Sequence, residues 1–193
     1  MQRASKLEND QMSLDDLQQY WLFGFPAGFE SFDFEKVESG QRTKVESVLK
    51  WKYGVKGLLL NGTPRKWKTR SATEALRRQV LEGRGKIKFK WIDSFDFGSL
   101  CLEAYRNGHE RDFIEKFCVP EILFIDDLGK FKITVRVAEA LFAITDRRMR
   151  FKKPMIITTN STGETLLKRF EDLELGQALI ARLRYTCETI SFV

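Results

Sequence analysis

Three short apolar runs in the sequence each end in residues that could hold or transform a phosphate group. GLLLN runs into Gly62 and a basic segment, ILFI runs into Asp126 and Asp127, and MIITT runs into Asn160. The carboxyl ends of strands in an open parallel sheet lie at one edge, where ligands bind. A basic loop, two acids and an amide are suited to a phosphate and a divalent cation. We therefore expect one site built from these three strand ends.

The basic segment that follows the first run fits the phosphate-loop frame G-x-x-x-x-G-K-[ST], with Trp67 in place of the last glycine. In such a loop the backbone N–H groups bind phosphate, the lysine pairs with the outer phosphates and the hydroxyl binds Mg²⁺. Arg65 and Trp67 put bulk where small residues let the chain approach the phosphate. The alternative is a basic strand-to-helix turn. The candidate nucleotide-binding residues are Gly62, Thr63, Pro64, Arg65, Lys66, Trp67, Lys68, Thr69 and Arg70.

The second and third strand ends supply a possible metal ligand and possible catalytic groups. Asp126 would hold Mg²⁺ and Asp127 would polarise an attacking water. Acids at the end of a buried strand can also be simple turn formers. Asn160 could orient a water near a γ-phosphate, or it could cap the helix that is expected to start near residue 161.

The elements that must position these residues alternate along the chain. Apolar runs separated by helical patterns at about 68–81, 95–117, 134–150 and 162–184 predict an α/β fold with a parallel sheet covered on both faces. Lys86, Lys88 and Lys90 alternate with apolar residues, which predicts an edge strand. Residues 1–40 are predicted to form an arm, with a short helix after Ser13 followed by an aromatic tether, and residues 41–193 to form the core domain.

Composition excludes several classes of protein. With 193 residues and 42% hydrophobic residues the chain is too apolar for a disordered protein. It contains no apolar stretch of about 18 residues, so we expect no membrane span. Its first ten residues lack an apolar core, so we also expect no secretory signal there. The three cysteines form no CxxC pair, which favours reduced thiols and a cytoplasmic location. A net charge of +6 favours an acidic partner, with nucleotide or nucleic acid first.

Other polar and sulfur-containing groups have simpler interpretations. The five cations of RRMRFKK, residues 147–153, could contact a DNA backbone, but a well-capped, solvated helix end is the favoured interpretation. His109 has no Cys or His neighbour at metal-ligand spacing and is expected at the surface. Cys101 and Cys118 lie in apolar helical segments and are expected in the core.

Taken in order, the motifs resemble those of the DnaC/IstB-type AAA+ ATPases, which are helicase loaders and transposition helpers. GLLLNGTPRKWKT is similar to Walker A, ILFIDDLGK to Walker B, KPMIITTNST to the sensor 1 strand and ALIARLR to the box that contains an arginine finger. The resemblance covers roughly residues 30–193. It implies a P-loop AAA+ three-layer sandwich with a central parallel sheet and a short or absent lid.

The resemblance also implies residue roles and partners. Lys68 and Thr69 match the phosphate-binding lysine and the Mg²⁺-binding hydroxyl, and Asp126 matches the Walker B metal residue. Asp127, Asn160 and Arg182 match catalytic positions, with Arg182 reaching a neighbouring subunit's nucleotide in a homo-oligomer and Arg184 as the competing choice. The implied ligands are ATP and Mg²⁺. The implied partners are a replicative helicase or a transposase-like protein, together with single-stranded DNA.

The altered Walker A motif leaves different functions open. One is a DnaC/IstB-like ATP-binding protein that couples nucleotide use to assembly in DNA replication or transposition. A second is a degenerate AAA+ fold that acts as a protein- or DNA-binding adaptor without ATP hydrolysis. A third is a nucleic-acid binder that uses the fold only as a scaffold. The substitutions at Arg65 and Trp67 separate the first from the second.

Overall fold

Strands and helices alternate through the part of the chain that the computed structural model describes, residues 24, 28–29, 31–54, 56–83 and 86–193. The strands are Gly57–Gly62 (β1), Phe89–Asp93 (β2), Ile122–Asp126 (β3), Met155–Thr158 (β4) and Cys187–Phe192 (β5). A 3₁₀ turn at Phe34–Lys36 precedes the helices Ser39–Leu49 (α1), Lys68–Glu82 (α2), Ser94–Arg106 (α3), Glu110–Cys118 (α4), Val135–Arg150 (α5), Gly163–Leu167 (α6) and Leu173–Thr186 (α7).

The strands form one parallel sheet in the order β2-β3-β4-β1-β5. This confirms the predicted α/β architecture. Because β4 lies between β1 and β3, the loop that follows β1 and the acids that end β3 meet beside the end of β4. The strand order therefore brings all three polar strand ends to one place at the carboxyl edge of the sheet.

The three central strands are buried on both faces of the sheet, and their alternate residues pack on opposite faces. Leu58 and Leu60 of β1 pack with α1 and α2 residues such as Val45 and Leu76. Leu59 points into the other cluster, which includes Ile144 of α5. A parallel sheet with helices on both sides requires such continuously apolar strands, and β3 is buried from Ile122 to Ile125 for the same reason.

The structure corrects the predicted bounds in three places. The helix expected at about 95–117 is two helices, because Gly108 adopts φ +70° between α3 and α4 and ends the first of them. The helix expected at about 162–184 is also two, and Asp172 caps the second by accepting from the Leu175 N–H at 3.0 Å. The lysine-striped strand starts later, at Phe89, but it does lie at an edge of the sheet as predicted.

The predictions for the thiols and the histidine are confirmed. Cys101 and Cys118 are buried, and burial raises the pKa of the Cys101 thiol to about 11. His109 is exposed between α3 and α4. The predicted helix after Ser13 lies outside the described residues, so the division of the chain at residue 40 stays a prediction.

Arg148 joins the amino ends of two central strands. Its side chain is only 1% exposed, and its guanidinium donates to four backbone carbonyls, those of Phe117, Pro120, Glu121 and Pro154, at 2.8 to 3.0 Å. These carbonyls end α4 and precede β3 and β4. Burial lowers the pKa of Arg148 to about 10, so the group stays charged at neutral pH. The prediction that this cation lies on a solvated surface is wrong, because the carbonyls at the end of α4 need buried donors.

Replacing Arg148 with methionine should lower the free energy of unfolding by about 3 kcal/mol or more, because several buried carbonyls lose their donor at once. Arg150→Met is the matched control: Arg150 is 68% exposed and pairs with Asp146 at 3.1 Å, so its loss should cost less than about 1 kcal/mol. Urea unfolding followed by circular dichroism measures both. Equal effects of the two substitutions would contradict the role assigned to Arg148.

Candidate functional site

The loop after β1 begins at a position that only glycine can occupy. Gly62 has φ +127°, and a Cβ there would collide with the backbone of Phe192 in β5. The next residue, Thr63, donates its N–H to the Phe192 carbonyl at 3.1 Å. The chain then turns into the first turn of α2, so the loop faces the helix N-terminus with its partial positive charge.

Two bulky residues of this loop adopt the left-handed conformation that favours glycine. Arg65 has φ +60° and Trp67 has φ +67°. These are the positions at which the phosphate-loop frame expects small residues, and a side chain in this conformation costs roughly 1–2 kcal/mol. The loop backbone therefore keeps a glycine-type path although the glycines are replaced.

The Trp67 ring lies against the side of the loop that faces the segment before the core. It packs edge-to-face on Phe32 with ring centroids 5.9 Å apart, and both rings lie against the apolar cluster under α1 and α2. A cleft of about 520 Å³ lies beside the loop, lined by residues 64–70, Asp127, Asn160, Phe29 and Glu38. Trp67 lines this cleft without closing it. The ring that was predicted to intrude on the loop therefore forms part of the wall of an open cleft.

Phe29, Phe32 and Glu38 contact the loop and the first turn of α2. Arg70 lies over the Phe29 ring at 5.7 Å, Trp67 packs on Phe32, and Lys66 lies 4.0 Å from Glu38. The sequence predicted an aromatic tether along the surface of the main domain, and the contacts place this part of it directly on the candidate site. The aromatic residues of FESFDF predicted a segment that packs on the main domain, but the sequence does not indicate which surface of the domain that segment covers.

Lys68 is the buried cation of the site. It is 5% exposed, and its Nζ donates to the carbonyls of Gly62 at 3.0 Å and Thr63 at 2.6 Å. Burial lowers the pKa of this ammonium, and the carboxylates of Asp127 and Asp126 oppose that shift. An ammonium has three N–H donors, and the described residues take two of them as loop carbonyl contacts. The third is available to an anion in the cleft.

Thr69 and Asp126 meet at the entrance to α2. The Thr69 hydroxyl donates to Asp126 Oδ1 at 2.8 Å, and the Thr158 hydroxyl donates to the same oxygen. Burial raises the pKa of Asp126, whereas these two hydrogen bonds lower it and the nearby Asp127 raises it further. A hydroxyl and a partly buried carboxylate side by side form an oxygen donor pair that fits Mg²⁺.

Asp127 and Asn160 form the polar wall opposite the loop. Asn160 Nδ2 donates to Asp127 Oδ1 at 2.9 Å, and Asp127 has φ +55°, which turns the chain sharply after β3. The cap of α6 is Thr162, so the interpretation of Asn160 as a helix cap is wrong. The structure thus brings Asp127 and Asn160 together at the cleft that residues 64–70 line.

Arg182 lies away from this cleft, on α7. It forms an ion pair with Asp146 of α5, and its guanidinium lies 4.3 Å from the centroid of the Phe142 ring. Arg184, the competing choice, is exposed two residues later. The role of Arg182 at a neighbouring subunit's nucleotide stays a prediction.

The cations of residues 147–153 mostly have partners within the fold. Arg147 pairs with Glu115 at 2.6 Å, Arg150 pairs with Asp146, and Lys153 donates to the carbonyls of Cys118 and Val119. Arg148 is buried. These contacts favour the structural interpretation of the cluster over a DNA contact.

A family model described as IstB-like ATP binding protein matches residues 4–193. A putative ATP-binding protein in an insertion sequence of Mycobacterium tuberculosis is 26% identical over 174 residues, which is 87% of this chain and 66% of that protein. This chain therefore spans about two thirds of that relative.

Two solved structures show the same fold. DnaI superposes with a TM-score of 0.71 at 16% identity over 88% of this chain and 95% of that chain. The DnaC helicase loader superposes with a TM-score of 0.64 at 21% identity over 82% of this chain and 91% of that chain. The fold is that of a P-loop AAA+ domain with a central parallel sheet. Among the described residues, no helix is both long and apolar enough to cross a bilayer.

Arg65→Gly should raise the free energy of unfolding by about 0.5–1 kcal/mol. Glycine adopts the left-handed conformation without steric strain, which stabilises the folded state, whereas its greater freedom in the unfolded chain offsets part of that gain. Arg65→Ala is the control, since it removes the same exposed guanidinium but keeps the Cβ, and it should stay within about 0.5 kcal/mol of the wild type. Thermal unfolding distinguishes them. If alanine stabilised the protein as much as glycine, the strain at this position would be refuted.

Proposed function

The chain belongs to the IstB-like ATP binding protein family, and on that premise we propose that it binds Mg²⁺-ATP in the cleft beside residues 62–69. The observation that carries the proposal is the meeting of Lys68, Thr69 and Asp126 at one edge of the sheet, with the Thr69 hydroxyl 2.8 Å from Asp126 Oδ1. Lys68 and Thr69 are the first two residues of α2, and Asp126 is the last residue of β3.

Each residue of the cleft has a defined task in this proposal. The loop N–H groups and the free donor of Lys68 bind the phosphates, and Thr69 and Asp126 hold Mg²⁺. Mg²⁺ neutralises charge on the phosphate oxygens when it is bound. Asp127 accepts a proton from the attacking water, and Asn160 holds the Asp127 carboxylate by its hydrogen bond and orients the water. Arg182 of a neighbouring copy completes the site in a homo-oligomer.

The partners follow from what the similar proteins do. The Mycobacterium tuberculosis relative is an ATP-binding protein of an insertion sequence, and the DnaC structure is that of a helicase loader. We infer that this chain couples its nucleotide state to assembly with a transposase or a replicative helicase. The adaptor hypothesis, in which the cleft takes no nucleotide, is the opposing outcome of the test below.

The wild-type protein should bind a non-hydrolysable ATP analogue, more tightly with Mg²⁺ than with EDTA. Lys68→Ala should weaken binding by about a hundredfold, because it removes a desolvated charge from the phosphate site. Lys50→Ala, an exposed lysine at the end of α1, should leave it unchanged. Isothermal titration calorimetry measures all three.

The double variant Arg65→Gly with Trp67→Gly separates the two hypotheses. If nucleotide bound only to this variant, the native loop would be closed to phosphate and the chain would be an adaptor. Binding by the wild type with comparable affinity excludes that hypothesis.

A second surface at the same edge of the sheet fits single-stranded DNA. Phe95 and Phe131 are 54% and 49% exposed, and their rings lie 5.1 Å apart. Exposed lysines flank Phe131: Lys130 lies 4.0 Å from Asp127, Lys132 lies 3.4 Å from Glu171, and both are open to solvent. Aromatic faces for base stacking beside backbone-binding cations are the usual means of holding a single strand. Because Phe131 follows Asp127 by four residues, a strand held here would lie close to the nucleotide-binding turn.

Phe131→Ala should weaken binding of a fluorescent oligothymidine by about tenfold at fixed salt, because it removes one stacking platform. Phe151→Ala is the matched control, since Phe151 is 67% exposed at the opposite, amino edge of the sheet. Fluorescence anisotropy reports both affinities. Equal losses, or no loss with Phe131→Ala, would remove this surface from the proposal.

A further inference from the structure

Thr158 contacts both acids of the site, and no role was assigned to it from the sequence. It ends β4, the strand between β1 and β3, and it is completely buried. Its hydroxyl donates to Asp126 Oδ1 and accepts the backbone N–H of Asp127 at 2.9 Å. One hydroxyl therefore holds the side chain of one acid and the backbone of the next.

The backbone of Thr158 extends the same connection. Its carbonyl accepts the N–H of Leu128 at 2.8 Å, so the last residue of β3 and the two residues after it are fixed by one residue of β4. Asp127 in this turn has φ +55°, a conformation that needs support from its neighbours. The Asp127 carbonyl is held separately by the Ser94 hydroxyl at 2.8 Å.

We infer that Thr158 is a positioning residue, which orients Asp126 towards Thr69 and sets the turn that presents Asp127 to the cleft. Two hydroxyls approach Oδ1 of Asp126, from Thr69 on α2 and from Thr158 on β4, and together they fix the plane of the carboxylate. Groups that orient a metal-binding carboxylate commonly change metal affinity by 10–100-fold when they are removed. The metal-dependent part of this inference rests on the proposed function, whereas the turn geometry does not.

Thr158→Val tests the inference because valine keeps the branched shape and loses only the hydroxyl. Thr158→Ser keeps the hydroxyl and loses a methyl group. Thr159→Val is the matched control: Thr159 is 1% exposed on the same strand end, but its hydroxyl donates to the Leu128 carbonyl and touches neither acid. Thermal unfolding establishes that each variant is folded. If Thr158→Val does not fold, Thr158→Ala takes its place.

The first readout is amide hydrogen exchange at Asp127, measured by NMR on the protein without nucleotide. We expect exchange about tenfold or more faster in Thr158→Val, close to wild type in Thr158→Ser, and unchanged at this amide in Thr159→Val. Unchanged exchange in Thr158→Val would overturn the inference.

The second readout is the gain in ATP-analogue affinity that Mg²⁺ provides over EDTA. Thr158→Val should reduce this gain by about 10–100-fold and leave the affinity in EDTA near that of wild type, and serine should restore it. Equal losses with and without Mg²⁺ would show a merely structural role and overturn the inference. If the wild type bound no nucleotide in either buffer, the proposed function would fail, and the exchange result would still decide the role of Thr158.

Discussion

The partly buried carboxylate of Asp126 is the constraint on which the site depends. It ends a strand whose preceding residues are completely buried, so its charge lies at the boundary between core and cleft. A carboxylate in this position requires hydrogen-bond donors, and it receives them from Thr69 on α2 and Thr158 on β4. Since α2 follows β1 closely, these two hydrogen bonds connect the carboxyl ends of β1, β3 and β4. The strand order β3-β4-β1 is what makes such a junction possible.

The loop opposite this junction combines a glycine-type backbone with bulky side chains. Arg65 and Trp67 both have positive φ, which costs free energy, but Trp67 regains contacts by packing on Phe32 and the cluster beneath it. The same packing ties the loop to Phe32, and Phe29 and Glu38 of the same segment also line the cleft. In this chain the segment that leads into the core is therefore part of the wall of the candidate site.

Much of the fold and of the site could be predicted from local pattern. Completely apolar strands such as ILFI and MII require a covered parallel sheet, and the polar residues that end them necessarily share one edge. Lys68, Asp127 and Asn160 could be placed at that edge for this reason alone. The break between α3 and α4 had a signal in Asn107 and Gly108, but apolar periodicity on both sides obscured it.

Other features depend on tertiary contacts that sequence does not display. Arg148 belongs to a run of cations, and that pattern predicted an exposed side chain. Arg148 is a core residue because four backbone carbonyls surround its guanidinium and accept its hydrogen bonds. The direction of the Trp67 ring depends on Phe32, which lies 35 residues earlier in the chain. The sequence does not distinguish Thr158 from the other hydroxyl residues of TTNST. The pairing of β4 with β3 is what places Thr158 in contact with both acids.

A crystal structure of the protein with Mg²⁺ and a non-hydrolysable ATP analogue tests most directly whether this altered loop still cradles phosphate. We expect the β-phosphate to lie within hydrogen-bond distance of the loop N–H groups and Lys68 Nζ, with Arg65 and Trp67 keeping positive φ and the Trp67 ring remaining on Phe32. An analogue bound elsewhere, or a loop that must rearrange Trp67 away from Phe32 to admit the phosphate, would contradict it.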